Sequence, residues 1–196
     1  MTARRGEISR STSETQIAVC IALDGEGQGE INSGIGFFDH MLQLFARHGL
    51  LDLTVHAIGD LEVDCHHTVE DCGIALGQAL AIALGDKAGI TRYGTAWVPM
   101  DEALAMVSLD ISGRPFLVFD AALPQIRLGE FDLEMVEEFF RALAIQAGLT
   151  LHIRLQSGKN AHHMVEAIFK AFGRALREAV RIDPAIKGVM STKGVL

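Results

Sequence analysis

The sequence has few cysteines, no excess of basic residues and no long apolar segment, and each absence excludes a class of protein. Three cysteines among 196 residues cannot form the even framework of a small secreted protein, so we expect the reducing cytoplasm. The net charge of −8 argues against binding nucleic acid through a basic face. Residues 1–14 contain no apolar signal segment, and the longest apolar run, 73–85, is too short to cross a bilayer. The sequence therefore predicts a soluble protein with no membrane partner.

The chain contains an internal repeat. Residues 53–84 align without a gap with residues 149–180, and 12 of the 32 positions are identical, where chance would give roughly two. The identities include a His-His-x-x-Glu motif that occurs at 66–70 and again at 162–166. We therefore predict two related units, about 5–97 and 98–190. Because no Pro/Ser-rich linker separates them, we expect a single domain.

Hydrophobic periodicity predicts the same order of elements in both copies. Helices that end near a glycine precede a short strand, and a long helix follows that strand. Two β-β-α-β-α units of this kind bury their apolar faces by packing through their helices, which predicts an α+β fold with central helices flanked by two sheets. The predicted strands are 16–23, 51–57, 104–111 and 150–155, and the predicted helices are 38–48, 67–85, 133–146 and 162–181.

The repeated motif has the spacing of a metal site. Residues four apart on a helix lie about 40° apart around its axis, whereas adjacent residues lie about 100° apart. His66 and Glu70 can therefore serve one cation, while His67 points elsewhere. The second copy, with His162, His163 and Glu166, repeats this pattern. Each of two cations could then take one histidine from each copy. Imidazole ligands suit Zn, Fe or Ni, and carboxylate ligands also suit Mn, so the residues alone do not select the metal.

Each feature also has a structural interpretation. One adjacent histidine pair is more often a helix cap and a surface residue, and only its recurrence favours metal binding. His56 and His152 also recur, within predicted strands, and we favour a structural role for them.

A further ligand is available from the helix before each motif. His40 stands beside Asp39, which could orient it. Alternatively, Asp39 is the N-cap and His40 a first-turn residue. The equivalent position in the second copy falls near Glu138, a carboxylate that could also bind metal.

Several basic and hydroxyl residues near predicted loops could bind an anion. The C-terminal segment Ser-Thr-Lys-Gly could surround a phosphate with backbone N–H groups and an ammonium. Each cation alone is more often a solvated surface charge, and nothing in the pattern joins them into one pocket. The residues are Arg92, Arg114, Lys170, Ser191 and Lys193.

Five ordered motifs resemble one known family. GFFDHMLQLFARHG, DCHHTVEDCGIALGQAL, ISGRPFLVFDAAL, KNAHHMVEAIFKAFGRAL and STKGVL are together similar to imidazoleglycerol-phosphate dehydratase, of histidine biosynthesis. The resemblance implies a duplicated fold like domain 2 of ribosomal protein S5. It also implies a homo-oligomer of 24 subunits with active sites between subunits, two Mn²⁺ per active site and a small phosphorylated imidazole substrate.

The resemblance also implies roles for individual residues. One manganese would take His66, Glu70 and His163, and the other would take His40, His67, His162 and Glu166. Family members often carry histidine where this chain has Glu138, so the fourth ligand of the first ion is Glu138 or water, or the site is a weaker one. Glu14 matches a residue at the substrate diol. The phosphate-contacting set would be Arg92, Arg114, Lys170, Ser191 and Lys193.

The implied reaction removes water from imidazoleglycerol phosphate and gives imidazoleacetol phosphate. We expect Glu166 to be the general base, with Glu14 as the alternative. Two other functions stay open at this point. One is a di-metal phosphate-ester hydrolase, whose ions would lie about 3.5–4 Å apart. The other is a non-catalytic metal-binding cage protein.

Overall fold

A computed structural model describes residues 4–196, which form ten strands and four long helices. The α+β class is confirmed, and the predicted helices lie within about two residues of the observed ones. The elements are β1 (Arg5–Ser11), β2 (Thr15–Ala22), β3 (Gly29–Asn32), α1 (Gly36–Gly49), β4 (Asp52–Gly59), α2 (His66–Leu84), β5 (Tyr93–Met100), β6 (Ala103–Asp110), β7 (Phe116–Asp120), β8 (Arg127–Leu128), β9 (Phe131–Asp132), α3 (Met135–Ala147), β10 (Thr150–Ser157) and α4 (Ala161–Val180).

The two halves of the chain form two four-stranded sheets of the same topology. Their strand orders are β1-β2-β4-β3 and β5-β6-β10-β7. In each sheet the first three strands are antiparallel and the last strand is parallel to its neighbour. The copies therefore share a β-β-β-α-β-α order, which has one more strand than the predicted unit.

Four strands of these two sheets had no predicted range, β1, β3, β5 and β7, and all four lie at sheet edges. Strand β3 has no buried residue, and β1 buries only Gly6. Edge strands of this kind lack the apolar alternation from which strands are predicted, because solvent contacts both their outer face and their free edge.

The four helices lie between the sheets. Helix α2 packs on β1 and β2, and α4 packs on β5 and β6, while α2 also contacts α3 and α4 contacts α1. Alternate residues of the central strands point toward the helices, for example Val19, Val55, Val107 and Ile153. No helix among residues 4–196 is both long and apolar enough to span a bilayer.

The strand registers refine the alignment of the two copies. Val55 pairs with Val19, and Ile153 occupies the equivalent place opposite Val107, so these strands correspond at a separation of 98 residues. The helical motifs correspond at a separation of 96 residues, because the connection before the helix is shorter in the second copy. It comprises residues 60–65 between β4 and α2, but only residues 158–160 between β10 and α4. His56 and His152 are therefore not equivalent positions, although both face outward, away from the helices.

Two glycines allow the sheets to approach the helices closely, and replacing either one tests this packing. A Cβ atom at Gly94 would lie 1.9 Å from the backbone oxygen of Ala175, and one at Gly6 would lie 1.9 Å from that of Ala79. Because a backbone oxygen cannot rotate away, we expect Gly94→Ala to lower the free energy of unfolding by about 3 kcal/mol or more. Urea unfolding at equal protein concentration would measure this.

Gly36→Ala is the matched control, because a Cβ atom there meets no other atom within 4 Å. Its unfolding midpoint is expected to stay near that of the unchanged protein. An equally stable Gly94→Ala variant would show that the sheet and α4 are less closely packed than described.

Candidate metal site

Three metal-binding side chains converge where α1 packs against α4. The ligand atoms of His40, His162 and Glu166 all lie within 4.8 Å of one another. The Oε2 atom of Glu166 is 3.1 Å from Nε2 of His162 and 3.7 Å from Nε2 of His40. We call these three residues the His40 cluster. Among residues 4–196 it is the only group of three or more such side chains with this spacing.

Local structure fixes the orientation of the His40 cluster. Asn160 caps α4, accepting hydrogen bonds from the N–H groups of His162 and His163. His162 and Glu166 are four residues apart and share one face of the helix. Asp39 neither caps α1, which begins at Gly36, nor bonds to His40. Its Oδ1 atom instead accepts hydrogen bonds from the N–H and hydroxyl groups of Ser33.

Glu166 is a buried carboxylate with a cation beside it. Burial, the largest single effect, would raise its pKa, but the hydrogen bonds and charges of Lys170 and His162 together outweigh burial, and the pKa is lowered. Nζ of Lys170 lies 2.5 Å from Oε1, so both oxygens of Glu166 are engaged. This carboxylate is therefore ionised at neutral pH, which suits a metal ligand and weakens it as a base.

A second, looser group lies where α2 packs against α3. Nε2 of His66 is 3.8 Å from Oε2 of Glu70. Glu138 lines the same cavity as His66, and its Oε2 atom lies 3.5 Å from Nε of Arg141. We call His66, Glu70 and Glu138 the His66 group. Helices α1 and α3 are each followed by a residue in the left-handed conformation, Leu50 and Gly148. When these two residues are aligned, Glu138 falls at the position equivalent to His40.

The two other histidines of the motifs point away from their neighbours. The ring planes of His66 and His67 are inclined by 78°, and those of His162 and His163 by 84°. Nδ1 of His67 is 2.9 Å from Oδ2 of Asp60, and Nδ1 of His163 is 2.8 Å from Oε2 of Glu102. These hydrogen bonds raise the pKa of both histidines, and the pKa of Glu102 falls to about 2.

Glu14 lies beside His67, at the turn between β1 and β2. Its Oε2 atom is 4.0 Å from Nδ1 of His67. The turn is held by Thr12, whose hydroxyl accepts hydrogen bonds from the N–H groups of Glu14 and Thr15. Thr15 in turn donates a hydrogen bond to the buried Asp71 of α2. The turn is thus attached to the same helix that carries His66 and His67.

The structure does not gather the five anion-binding candidates around one point. Lys170 lies beside the His40 cluster, where it forms an ion pair with Glu166. Arg92 is buried, forms an ion pair with Asp110 and donates to the carbonyl of Met190, which adjoins Ser191. The backbone N–H of Arg92 donates a hydrogen bond to the carbonyl of Ala179, which lies nine residues beyond Lys170 in α4. Arg92 and Lys170 are therefore about 14 Å apart along this helix. Ser191 accepts from the N–H of Lys193, and Arg114 is exposed.

Two residues of this region were missed by reasoning from the sequence, Asp60 and Glu102. Neither belongs to the repeated motif, because both lie in connections outside the helices. The signal that could have found Glu102 is its place in the β5–β6 hairpin. Ser11 and Pro99 occupy equivalent positions in the two sheets, because Ser11 pairs with Gln16 and Pro99 pairs with Leu104. Glu14 and Glu102 each lie three residues further along the chain, so Glu102 is the equivalent of Glu14.

Comparison with known proteins identifies the family of this chain. A family model described as imidazoleglycerol-phosphate dehydratase matches residues 33–176. The chain is 61% identical over 193 residues to imidazoleglycerol-phosphate dehydratase of Acetivibrio thermocellus, covering 98% of this chain and 99% of the relative. It is 63% identical over 191 residues to that of Clostridium acetobutylicum, with 97% of each covered.

Two solved structures have the same fold. The crystal structure of imidazoleglycerol-phosphate dehydratase from Staphylococcus aureus matches with a TM-score of 0.83 and 47% identity, over 91% of this chain and 99% of that one. The structure of IGPD from Pyrococcus furiosus in complex with (S)-C348 matches with a TM-score of 0.82 and 42% identity, over 96% and 100%.

Proposed function

Because this chain belongs to the imidazoleglycerol-phosphate dehydratase family, it is a hydro-lyase of histidine biosynthesis, and we propose that its reaction takes place between two manganese ions. The enzyme removes water from imidazoleglycerol phosphate to give imidazoleacetol phosphate. The family therefore replaces the hydrolase and cage-protein alternatives. The observation that carries the proposal is the His40 cluster, whose three ligand atoms lie within 4.8 Å of one another.

The donor atoms of both groups fit divalent cations. The His40 cluster supplies two imidazoles and a carboxylate, and the His66 group supplies one imidazole and two carboxylates. Mixed nitrogen and oxygen donors suit Mn²⁺ as well as Zn²⁺ and Fe²⁺. We propose that Glu138 is the ligand equivalent to His40, moving from Arg141 to the ion.

The remaining ligands are proposed to come from a second subunit. His67 and His163 point away from the groups of their own chain, so each can complete a group on a neighbour. One active site would then combine the α4 end of one subunit (His162, His163 and Glu166) with the α2 end of another (His66, His67 and Glu70). Exposed apolar side chains on the sheets, such as Trp97 and Phe116, support subunit contacts. We propose the 24-subunit assembly on the resemblance.

The chemistry of the site divides between cations and side chains. Bound divalent ions would supply Lewis acidity at the substrate's imidazole ring. A carboxylate must take the proton from the carbon next to the one that loses its hydroxyl, after which the enol becomes the ketone. Glu166 and Glu14 are the two candidates. Because both oxygens of Glu166 are engaged, we propose Glu166 as a ligand that borders the reaction and Glu14 as the base.

The phosphate of the substrate is proposed to bind where basic residues of two subunits meet. Lys170 lies beside the His40 cluster, and Arg92 contacts the segment that contains Ser191 and Lys193. Arg114 adds an exposed guanidinium. An ammonium, guanidinium groups and a hydroxyl together form a strong set of phosphate donors.

The cysteines support the proposal that the enzyme works in the cytoplasm. All three are free thiols, and Cys65 and Cys72 are buried. Burial raises the pKa of Cys72 to about 12, so this thiol has no nucleophilic role. Free thiols of this kind are typical of proteins kept under reducing conditions.

Metal stoichiometry tests the proposed site. After treatment with a chelator and dialysis against Mn²⁺, the protein is expected to bind two ions per chain, and formation of imidazoleacetol phosphate is expected to follow occupancy. His162→Ala removes a ligand of the His40 cluster and is expected to bind one ion fewer. Elemental analysis of the dialysed protein measures both values.

His152→Ala is the matched control, because His152 is exposed on the outer face of its sheet. It should retain both ions. If His162→Ala also retained two ions, or if the unchanged protein bound none, the His40 cluster would not be a manganese site.

A further inference from the structure

We propose that Glu102 is a positioning residue that holds His163 in the tautomer whose Nε2 atom is free to bind a cation. Asp60 has the same role for His67. The inference rests on the proposed function, because the cation that His163 would bind belongs to the proposed active site. It adds to that site a residue from a hairpin outside the repeated motif.

Glu102 is held rigidly at the start of α4. Its Oε1 atom accepts hydrogen bonds from the N–H groups of Lys159 and Asn160, at 3.0 and 2.7 Å. This arrangement leaves Oε2 facing Nδ1 of His163 at 2.8 Å. A carboxylate only accepts hydrogen bonds, so Nδ1 must carry a proton, and in the neutral ring the lone pair is then on Nε2. A histidine that binds a metal commonly has a carboxylate on its other nitrogen.

The duplication explains why a hairpin residue has this role in the second copy. Asp60 directly follows β4, and the residue that directly follows β10 is Gly158, which has no side chain. The connection to α4 therefore offers no carboxylate for His163. Glu102 takes that place, while its equivalent Glu14 lies 4.0 Å from His67, which Asp60 already holds. Glu14 is thereby left available for the substrate.

A glutamine at position 102 separates positioning from simple structural support. The amide oxygen of Glu102→Gln can keep both backbone hydrogen bonds of Oε1. The amide nitrogen then faces Nδ1 of His163 and can only donate to it. The ring proton must move to Nε2, where it blocks the lone pair that would bind the cation. The variant keeps the fold of the α4 start and reverses the tautomer.

Cation affinity is the first measurement. We expect Glu102→Gln to bind one of two Mn²⁺ ions about 10–100-fold more weakly and the other unchanged. Ser157→Ala is the control, because it removes a hydrogen bond to the backbone carbonyl of Glu102 without touching the Glu102 carboxylate or the His163 ring. Both of its affinities are expected to stay within about threefold of those of the unchanged protein. If Glu102→Gln bound both ions normally, or if Ser157→Ala weakened the same ion equally, the positioning role would be rejected.

A measurement on metal-free protein keeps this inference distinct from the proposed function. Solid-state ¹⁵N spectra of histidine-labelled protein report which ring nitrogen carries the proton. The unchanged protein should show a protonated Nδ1 for His163, identified by its loss in His163→Ala, and Glu102→Gln should show a protonated Nε2. A neutral His163 ring that carries its proton on Nε2 in the unchanged protein would overturn the inference even if manganese binds. Failure of manganese to bind would overturn the proposed function alone.

Discussion

Replacement of Glu14 with glutamine is expected to lower kcat by about 10²–10⁴-fold, the usual contribution of a general base, while both manganese ions remain bound. Glutamine keeps the shape of the side chain but cannot accept a proton. The turn that carries Glu14 is held through backbone hydrogen bonds to Thr12, so the substitution leaves its position unchanged. Steady-state kinetics with imidazoleglycerol phosphate, together with elemental analysis for manganese, would measure the effect.

Glu166→Gln separates the two candidate bases. Glu166 contacts His162 and Lys170 through different oxygens, so its replacement is expected to reduce manganese content as well as turnover. Glu7→Gln is the control, because Glu7 is exposed on strand β1, and it should leave kcat unchanged. Should Glu14→Gln retain normal turnover while Glu166→Gln keeps both ions and loses activity, the base would be Glu166.

The duplication of the fold could be predicted from the sequence, because its central elements bury regular apolar faces. Helix α4 and strand β6 show the periodicities of a helix and of a strand. Strands β1 and β3 do not, since they contribute few buried side chains and exist because a neighbouring strand offers backbone partners. An edge strand depends on a partner far away in sequence, and no local pattern encodes that partner.

The alignment of the copies shows a similar limit. An ungapped match between residues 53–84 and 149–180 places His56 over His152, but strand register places His56 at the position of Arg154. A shift of two residues preserves strand alternation, so the pattern of apolar residues cannot detect it. Only the backbone pairing with β2 and β6 distinguishes the two alignments.

The candidate site was predictable where it lies on helices and not where it depends on connections. The i,i+4 spacing places Glu166 beside His162 and Glu70 beside His66. The carboxylates that hold His67 and His163 come from a loop in one copy and from a hairpin in the other. Their contacts depend on tertiary folding, and the sequence offers no spacing rule for them.

The proposed division of each active site between subunits leads to a second large effect. His67→Ala damages the α2 contribution to a site and His163→Ala damages the α4 contribution, so each variant alone is expected to be nearly inactive. In oligomers that contain both variants, an intact α4 end from one chain can meet an intact α2 end from the other. If subunits mix at random, about a quarter of all sites are intact, and we expect about a quarter of normal activity.

Coexpression of the two variants with different affinity tags, followed by sequential purification, yields the mixed oligomers for this assay. The matched control combines His66→Ala with His67→Ala, both of which damage the α2 end. No arrangement of those chains gives an intact site, and the mixture should remain inactive. Restoration in the first mixture alone requires that α2 and α4 ends of different chains meet. If neither mixture regained activity, His67 and His163 would have to complete a site within their own chain, and the splayed rings of the two motifs would need another explanation.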